Sequence, residues 1–302
     1  MYAKIVLLVF RLFALFPLPL SQAIGGAFGW IISVVPNQER RIARINIENC
    51  LPELSPLEQK TLLRSSLIES AKTVVEMPGV WAGGSTRWIN LVQSGRGENL
   101  FNETLAIGKG VIAVGPHLGN WEVGLHYLTS LSPVTATYRP PRQAFLDDLI
   151  RGGRSKGGAS MVPATPHGVK MLLAALKRGE MMALLADQQP KAAGKQGGVF
   201  VPFFGQHALT MVLVGRLARK TGASVLFWYM ERLPDAKGFR IHWYPAPTGI
   251  DDPDPVVAAT ALNQGLEECI RSCPAQYTWS YKRFAAQPEG LKSLYRRSSK
   301  TA

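Results

Sequence analysis

Apolar residues come in distinct textures along the chain. The first 36 residues are almost wholly apolar, with runs at 5–10, 12–16 and 23–35, breaks at Pro17 and Pro19, and only Lys4 and Arg11 as charges. A membrane-spanning helix needs about 20 apolar residues, and this stretch is long enough, although the prolines kink it. Arg11 and the prolines also suit a shallow, partly inserted hairpin. No small-residue cleavage site precedes a polar start, so the stretch reads as an uncleaved anchor and not as a signal peptide. Arg40, Arg41 and Arg44 follow it directly, which predicts that the body lies on the cytoplasmic side.

Residues 37–98 carry a helical period. Ile42, Ile45 and Ile47 precede a break at Pro52 and Pro56. Ser55, three residues before Glu58, reads as a helix start. Leu62, Leu63, Leu67, Ile68, Val74 and Val75 then repeat at helical spacing, and Trp81 and Trp88 flank a Gly83–Gly84 break. From residue 99 the pattern changes to short apolar runs alternating with amphipathic stretches. Strands are predicted at 111–114, 134–138, 181–186, 224–230 and 239–244. Helices are predicted at 121–129, 143–150, 168–178, 208–221 and 255–272. Such alternation implies an α/β fold, a mixed and mostly parallel sheet flanked by helices. The last two strands share a short, turn-rich link and should pair antiparallel. The expected organisation is an anchor at 1–36 and a catalytic domain at 37–302. Within the domain, 37–98 is helical, 99–285 is the α/β core, and 286–302 is a polar, mobile tail.

Composition narrows the function. With 302 residues, 46% of them hydrophobic, the chain has material for a substantial core. Its net charge of +13 calls for acidic partners. No helix-turn-helix, zinc-ligand spacing or RNP signature is present, so nucleic acid is not expected as a partner. Cys50, Cys269 and Cys273 form no disulfide framework and no metal set. Neither a metal nor any other cofactor is expected.

The chemistry concentrates in the segment 110–122, GVIAVGPHLGNWE. A buried strand runs into a Gly–Pro turn and delivers His117 to the carboxyl end of the sheet, where open α/β sheets bind ligands. Glu122 falls in the first turns of the helix that follows. Positions five apart do not share a helix face. His117 therefore sits in the turn, from which its ring can swing back toward the carboxylate. A carboxylate on one ring nitrogen fixes the tautomer and leaves the other nitrogen as a base for a substrate hydroxyl. The G-x-S-x-G elbow and the phosphate-binding loop G-x-x-x-x-G-K-[ST] are both absent.

The His-x4-acid box after a strand resembles that of the glycerolipid acyltransferase superfamily. The rest of the chain is similar to its bacterial lipid A biosynthesis branch, the late (secondary) acyltransferases. The blocks that carry the likeness are HLGNWE, Tyr138-Arg139-Pro140, Leu184-Leu185-Ala186-Asp187-Gln188, Val201-Pro202-Phe203-Phe204-Gly205 continuing to Ala208 and Thr210, and Gln276-Tyr277-Thr278-Trp279 before Lys282-Arg283-Phe284. His207 stands where a Pro is expected, and Tyr281 where a His is common. The resemblance implies transfer of a fatty acyl group, of lauroyl or myristoyl type, from acyl carrier protein to the hydroxyl of a 3-hydroxyacyl chain on a lipid A precursor. It implies work at the bacterial inner membrane, among its lipids. Acyl carrier protein and lipid A phosphates are acidic, in keeping with +13. The rival functions are a lysophosphatidate-type acyltransferase, whose box normally carries Asp, and a non-catalytic membrane adaptor, which leaves HLGNWE unexplained.

Other residues carry paired readings. Arg139 either stabilises an oxyanion or holds a phosphate, or is a solvated strand-end cation; the resemblance favours function. Asn120 either donates to substrate or caps the helix. Asp187 either orients an active-site Arg or the acceptor, or serves as an N-cap or turn residue. The block 201–210, with Gly205 and Thr210, either floors the acyl site or packs in the core. Arg151, Arg154 and Lys156, with Lys191 and Lys195, are candidates for docking the acidic carrier, against a solvated basic face.

Overall fold

The computed structural model describes residues 2–82, 85–138, 144–190 and 197–296. Two helices, α1 (Tyr2–Ala14) and α2 (Leu18–Val34), lead into α3 (Gln38–Cys50) and the long α4 (Pro56–Ala82). Asn37 caps α3, its side chain accepting from the Arg40 N–H at 2.8 Å. Ser55 and Glu58 form the reciprocal bonds of a capping box at the start of α4. Then follow α5 (Ser85–Ile89), β1 (Val92–Ser94), α6 (Glu98–Ala106), β2 (Val111–Gly115), α7 (Trp121–Leu131), β3 (Val134–Tyr138), α8 (Ala144–Lys156), β4 (Ser160–Pro163), α9 (Pro166–Lys177) and β5 (Met181–Leu185). The chain continues through β6 (Gly198–Phe203), β7 (Gln206–Met211), α10 (Leu213–Thr221), β8 (Ser224–Arg232), β9 (Phe239–Pro245) and α11 (Pro255–Ser272).

Seven strands form one sheet in the order β1-β9-β8-β2-β5-β3-β4. Only β8 and β9 pair antiparallel; the other neighbours are parallel. The expected mixed, mostly parallel sheet is present. Every residue of β2 is buried, as a central parallel strand covered on both faces must be. Strand alternation sends Ile112 and Val114 into one core and Val111 and Ala113 into the other. The first core lies among α9, α10, α11 and α3, the second beneath α6 and α7.

The structure corrects the segment expected as one helix from 208. Residues 206–211 are instead β7, paired with β6 in a separate hairpin, and the helix starts only at Leu213. The two turn residues, Phe204 (φ 50°) and Gly205 (φ 73°), both have positive φ, the backbone of a tight two-residue hairpin turn. A second correction concerns the tail. Tyr295 is buried in the first core, its hydroxyl donating to Asn46 Oδ1 at 2.6 Å and accepting from the Phe284 N–H. The described chain is thus held to the body well past 286; residues 297–302 lie outside the described residues.

The N-terminal segment forms two helices. Gly25 and Gly29 let α2 lie directly on α4, since a Cβ on either would collide with backbone at Lys72 or Ile68. The outward faces of α1 and α2 and the turn between them leave Leu8, Leu12, Leu15, Phe28, Trp30 and Ile31 exposed. Among the described residues no single helix is long and apolar enough to cross a membrane. α2 and α3 together meet the length and apolarity, but they are bent by 77°.

Candidate active site

His117 is set by the strand that delivers it and by the loop that holds it. It lies two residues beyond the end of β2, and Asp187 lies two residues beyond the end of β5. Those strands are parallel neighbours with Gly115 opposite Leu185, so the two side chains emerge at the same level. His117 Nδ1 lies 2.7 Å from Asp187 Oδ1, and the His117 backbone N–H donates to Asp187 Oδ2 at 3.0 Å. The loop between His117 and Asn120 is clamped from three sides. The Thr278 N–H donates to the His117 carbonyl, the Gly119 N–H to the Gln276 carbonyl, and the Asn120 N–H to the Met230 carbonyl. Gly119 holds φ at 64°, and a Cβ there would collide with the Met230 carbonyl. The segment 276–278 therefore fixes the loop that carries His117, a role that its sequence did not disclose.

The carboxylate on the His117 ring is Asp187, which corrects the expectation that Glu122 orients it. Glu122 lies in the first turn of α7, as expected, but its oxygens are taken up elsewhere. Oε2 accepts from Trp81 Nε1 at 2.9 Å and from Arg154 Nε at 3.0 Å, and Oε1 accepts from Arg154 Nη2. The reason is the approach of α8. Gly153 packs against Trp81 and Gly157 against His126, where a Cβ would collide in each case. α8 thus lies close enough for Arg154 to fork onto Glu122. Arg154 is therefore no exposed docking residue, which corrects that expectation. Arg151 and Lys156, on the same helix, are exposed, and Arg151 pairs with Asp147 and Asp148.

Both acids are buried and ionised. Burial pushes the Asp187 carboxyl up. The charge of His117, with hydrogen bonds from its ring and backbone N–H, outweighs this and holds it below its ordinary value. Burial likewise raises Glu122, but the Arg154 charge and the bonds from Arg154 and Trp81 bring it below the ordinary carboxylate range. In the neutral form of the imidazole, an anionic acceptor on Nδ1 keeps the one ring proton on that nitrogen and leaves the lone pair on Nε2. Nε2 faces the Gln188 carboxamide at 3.3 Å. The edge of the ring meets Trp121, with centroids 5.0 Å apart.

His117, Glu122, Arg154 and Gln188 line one cavity of about 740 Å³. Its remaining walls are largely apolar, from Leu125, Ala136, Met161, Ala183 and Trp228 among others. That is the size and character of a site for a small ligand or one lipid chain.

Of the remaining expected site residues, Asn120, Gly205 and Thr210 do not line it. Asn120 is fully buried and caps α7, accepting from the Val123 N–H at 3.0 Å while donating to Glu76 Oε2 at 2.8 Å. The capping reading holds, and substrate contact is corrected. Gly205 turns the β6–β7 hairpin. Thr210 is buried beneath Arg283 Nη2 (2.7 Å) and Asn263, and Phe203 and Phe204 pack in the core with Phe284 and Trp279. None of these four lines the cavity, so the block is a core element and not the floor of the acyl site. Arg139, Lys191 and Lys195 lie outside the described residues, although Tyr138, immediately before Arg139, lines the cavity.

Comparison with known proteins agrees with this architecture. Residues 1–286 match the family model described as bacterial lipid A biosynthesis acyltransferase. The chain is 27% identical to the lipid A biosynthesis lauroyltransferase of Escherichia coli K12, across 92% of this chain and 90% of that protein. It is 28% identical to the palmitoleoyltransferase of the same organism, across 92% and 89%. To the myristoyltransferase of that organism it is 23% identical, across 94% and 87%. A match to the family model over nearly the whole chain makes this protein an acyltransferase belonging to the bacterial lipid A biosynthesis acyltransferase family.

Proposed function

We propose that the protein transfers a fatty acyl group from an acyl carrier protein thioester to the hydroxyl of a 3-hydroxyacyl chain on a lipid A precursor, with His117 as general base and Asp187 as its orienting acid. The observation that carries this reading is the 2.7 Å contact of His117 Nδ1 with Asp187, which leaves Nε2 as the basic atom at the cavity. The acceptor hydroxyl gives its proton to Nε2 as its oxygen attacks the thioester carbonyl. The imidazolium so formed is stabilised by the Asp187 anion. The proton then passes from Nε2 to the departing thiolate, and the ester remains on the acceptor.

The other charges take supporting roles. Glu122 holds Arg154 at the cavity wall, where among the described residues no acceptor engages Nη1, and that nitrogen is offered to a substrate oxygen. Glu122 acts through Arg154 and not through His117. Arg139, next to the cavity-lining Tyr138, supplies a further cation for the oxyanion or for a head-group phosphate. Arg151 and Lys156 are the exposed cations of α8 and suit the acidic carrier. The apolar outer faces of α1 and α2 suit contact with inner-membrane lipids, with the cavity on the cytoplasmic side where the carrier is available.

The test is the initial rate of transfer from a labelled acyl carrier protein thioester, with a lipid A precursor and a lysophosphatidate offered as alternative acceptors. Transfer to the precursor alone, abolished in a folded His117→Ala protein, is the expected result. Near-normal turnover by His117→Ala would overturn the mechanism, and preference for the lysophosphatidate would overturn the acceptor.

A further inference from the structure

Among the described residues the Gln188 side chain has one hydrogen-bond partner, His117. Its Nε2 lies 3.3 Å from His117 Nε2, and it lines the cavity. Tautomer logic settles which end of the carboxamide faces the ring. Asp187 fixes the proton on Nδ1, Nε2 is an acceptor, and only the amide nitrogen can donate to it.

The backbone on either side of Gln188 is pinned. Asp187 is held by the ring and backbone N–H of His117. Gln189 donates its N–H to the Tyr281 hydroxyl at 3.0 Å and its side-chain amide to the Lys282 carbonyl at 2.6 Å, and it accepts from the Ala286 N–H at 3.0 Å. A side chain on so fixed a backbone, partly buried at the cavity wall, is a preorganised donor and not a surface amide.

An acceptor hydroxyl must take the place of this amide on Nε2, because a general base has to reach the proton it removes. The carboxamide is then released with two N–H donors, within a few ångströms of the carbon under attack. We infer that Gln188 is a catalytic residue, donating a hydrogen bond to the thioester carbonyl oxygen as it becomes the oxyanion. This rests on His117 acting as the base of an acyl transfer. As the acceptor oxygen bonds to the thioester carbon, its proton goes to His117 Nε2 and the carbonyl π pair moves onto oxygen, where the Gln188 N–H meets it. When the pair returns, the carbon–sulfur bond breaks and the sulfur leaves with the proton from Nε2. An oxyanion donor acts on the transition state and not on the bound substrates, so its loss appears in kcat.

The experiment compares full-length wild type with Gln188→Leu, Gln188→Glu, Gln188→Asn and His117→Ala, in steady-state transfer from an acyl carrier protein thioester to a lipid A precursor. Gln188→Glu keeps the shape and removes both donors. It and Gln188→Leu should lower kcat by about a hundredfold, with both KM values nearly unchanged. Gln188→Asn keeps the amide one methylene short and should recover part of that loss. Normal kcat with a lowered acceptor KM in Gln188→Leu would overturn the inference, since the amide would then only cap the base in the empty site. Full activity in Gln188→Glu would do the same. If the Gln188 variants are normal and His117→Ala is dead, this inference falls while the general-base reading stands. Activity in a folded His117→Ala protein removes both.

Discussion

Asp187→Asn separates two arrangements that the sequence could not distinguish, because it changes charge and donor pattern while keeping shape. Asp187 accepts two hydrogen bonds from His117, one from the ring at 2.7 Å and one from the backbone N–H at 3.0 Å. Asparagine offers one acceptor and one donor in the same two positions. If its oxygen keeps the backbone N–H, its amide faces the ring. Nδ1 must then become the acceptor, which moves the ring proton to Nε2 and removes the base. If the amide turns over, two N–H donors oppose each other in a buried site. The variant also removes the anion that balances the imidazolium. The corresponding change in a His–acid pair of a serine protease costs about 10⁴ in kcat, or about 5.4 kcal/mol of activation free energy at 1.36 kcal/mol per factor of ten. Asp187→Asn should fall in that range with a fold intact by circular dichroism. The assay is initial rate under saturating thioester and precursor, beside Glu122→Gln. Glu122 bonds to Trp81 and Arg154 and has no hydrogen bond to His117 among the described residues, so its variant should retain much more activity. A loss below about tenfold in Asp187→Asn, with Glu122→Gln inactive, would refute the reasoning.

The other predictions follow from the same geometry. Glu122→Gln leaves Arg154 partly buried without its counter-charge; such a break costs about 3–5 kcal/mol. Because the Arg154 side chain keeps 21% exposure, the low end applies, about 3 kcal/mol, or a thermal midpoint lower by roughly 5 °C. The folded-state pKa of Glu122 lies below its ordinary value. Its stabilisation is therefore complete above the ordinary carboxylate range and is lost as pH falls through the folded value, so Glu122→Gln should flatten the acid limb of a plot of midpoint against pH. Arg139→Ala should lower kcat by on the order of a hundredfold, with partial rescue by Arg139→Lys; a loss confined to acceptor KM would assign Arg139 to the head group. Arg151→Glu with Lys156→Glu should raise the KM for the carrier-borne donor and weaken its salt dependence, while Arg154 is left in place; an unchanged KM would put carrier docking on another face.

The parts of the fold legible in sequence were those with one dominant local signal. The run 111–114 reads as a buried strand because nothing in it is polar, and 255–272 reads as a helix because Pro255 opens it and the apolar period persists. The hairpin β6–β7 was misread because Ala208, Leu209 and Met211 are apolar at spacings that suit a helix. Its turn uses Phe204, a residue with a side-chain penalty at positive φ, in place of the usual Asn or Asp before Gly205. Signals for it were present in the alternation from Val199 to Phe203 and in the glycine that follows. The strands Val92–Ser94 and Ser160–Pro163 are three and four residues long, too short for any period to register.

The sequence pointed to His117 as the centre of the site but not to the carboxylate beside it, and the reason is topological. The sequence distance from His117 to Glu122 is five residues and to Asp187 seventy, so the near acid is the natural partner on the page. In space the ranking is set by the sheet. β5 inserts between β2 and β3, although it follows both in sequence, and its register with β2 brings residues 117 and 187 level at the carboxyl edge. Nothing in the local pattern of either strand encodes that adjacency. The helix geometry did carry a warning: residues five apart do not share a helix face, so Glu122 could meet His117 only through a special turn. The chain does form a special turn there, held by Gly119 and by the segment 276–278, but it aims the ring at the neighbouring strand and leaves Glu122 to Arg154. A box of His and acid five residues apart thus contains two buried acid partnerships interleaved at one cavity, one that sets the base and one that sets a cation. Exchanging Asp187 for its amide should remove most of the turnover, whereas the same exchange at Glu122 should cost mainly stability.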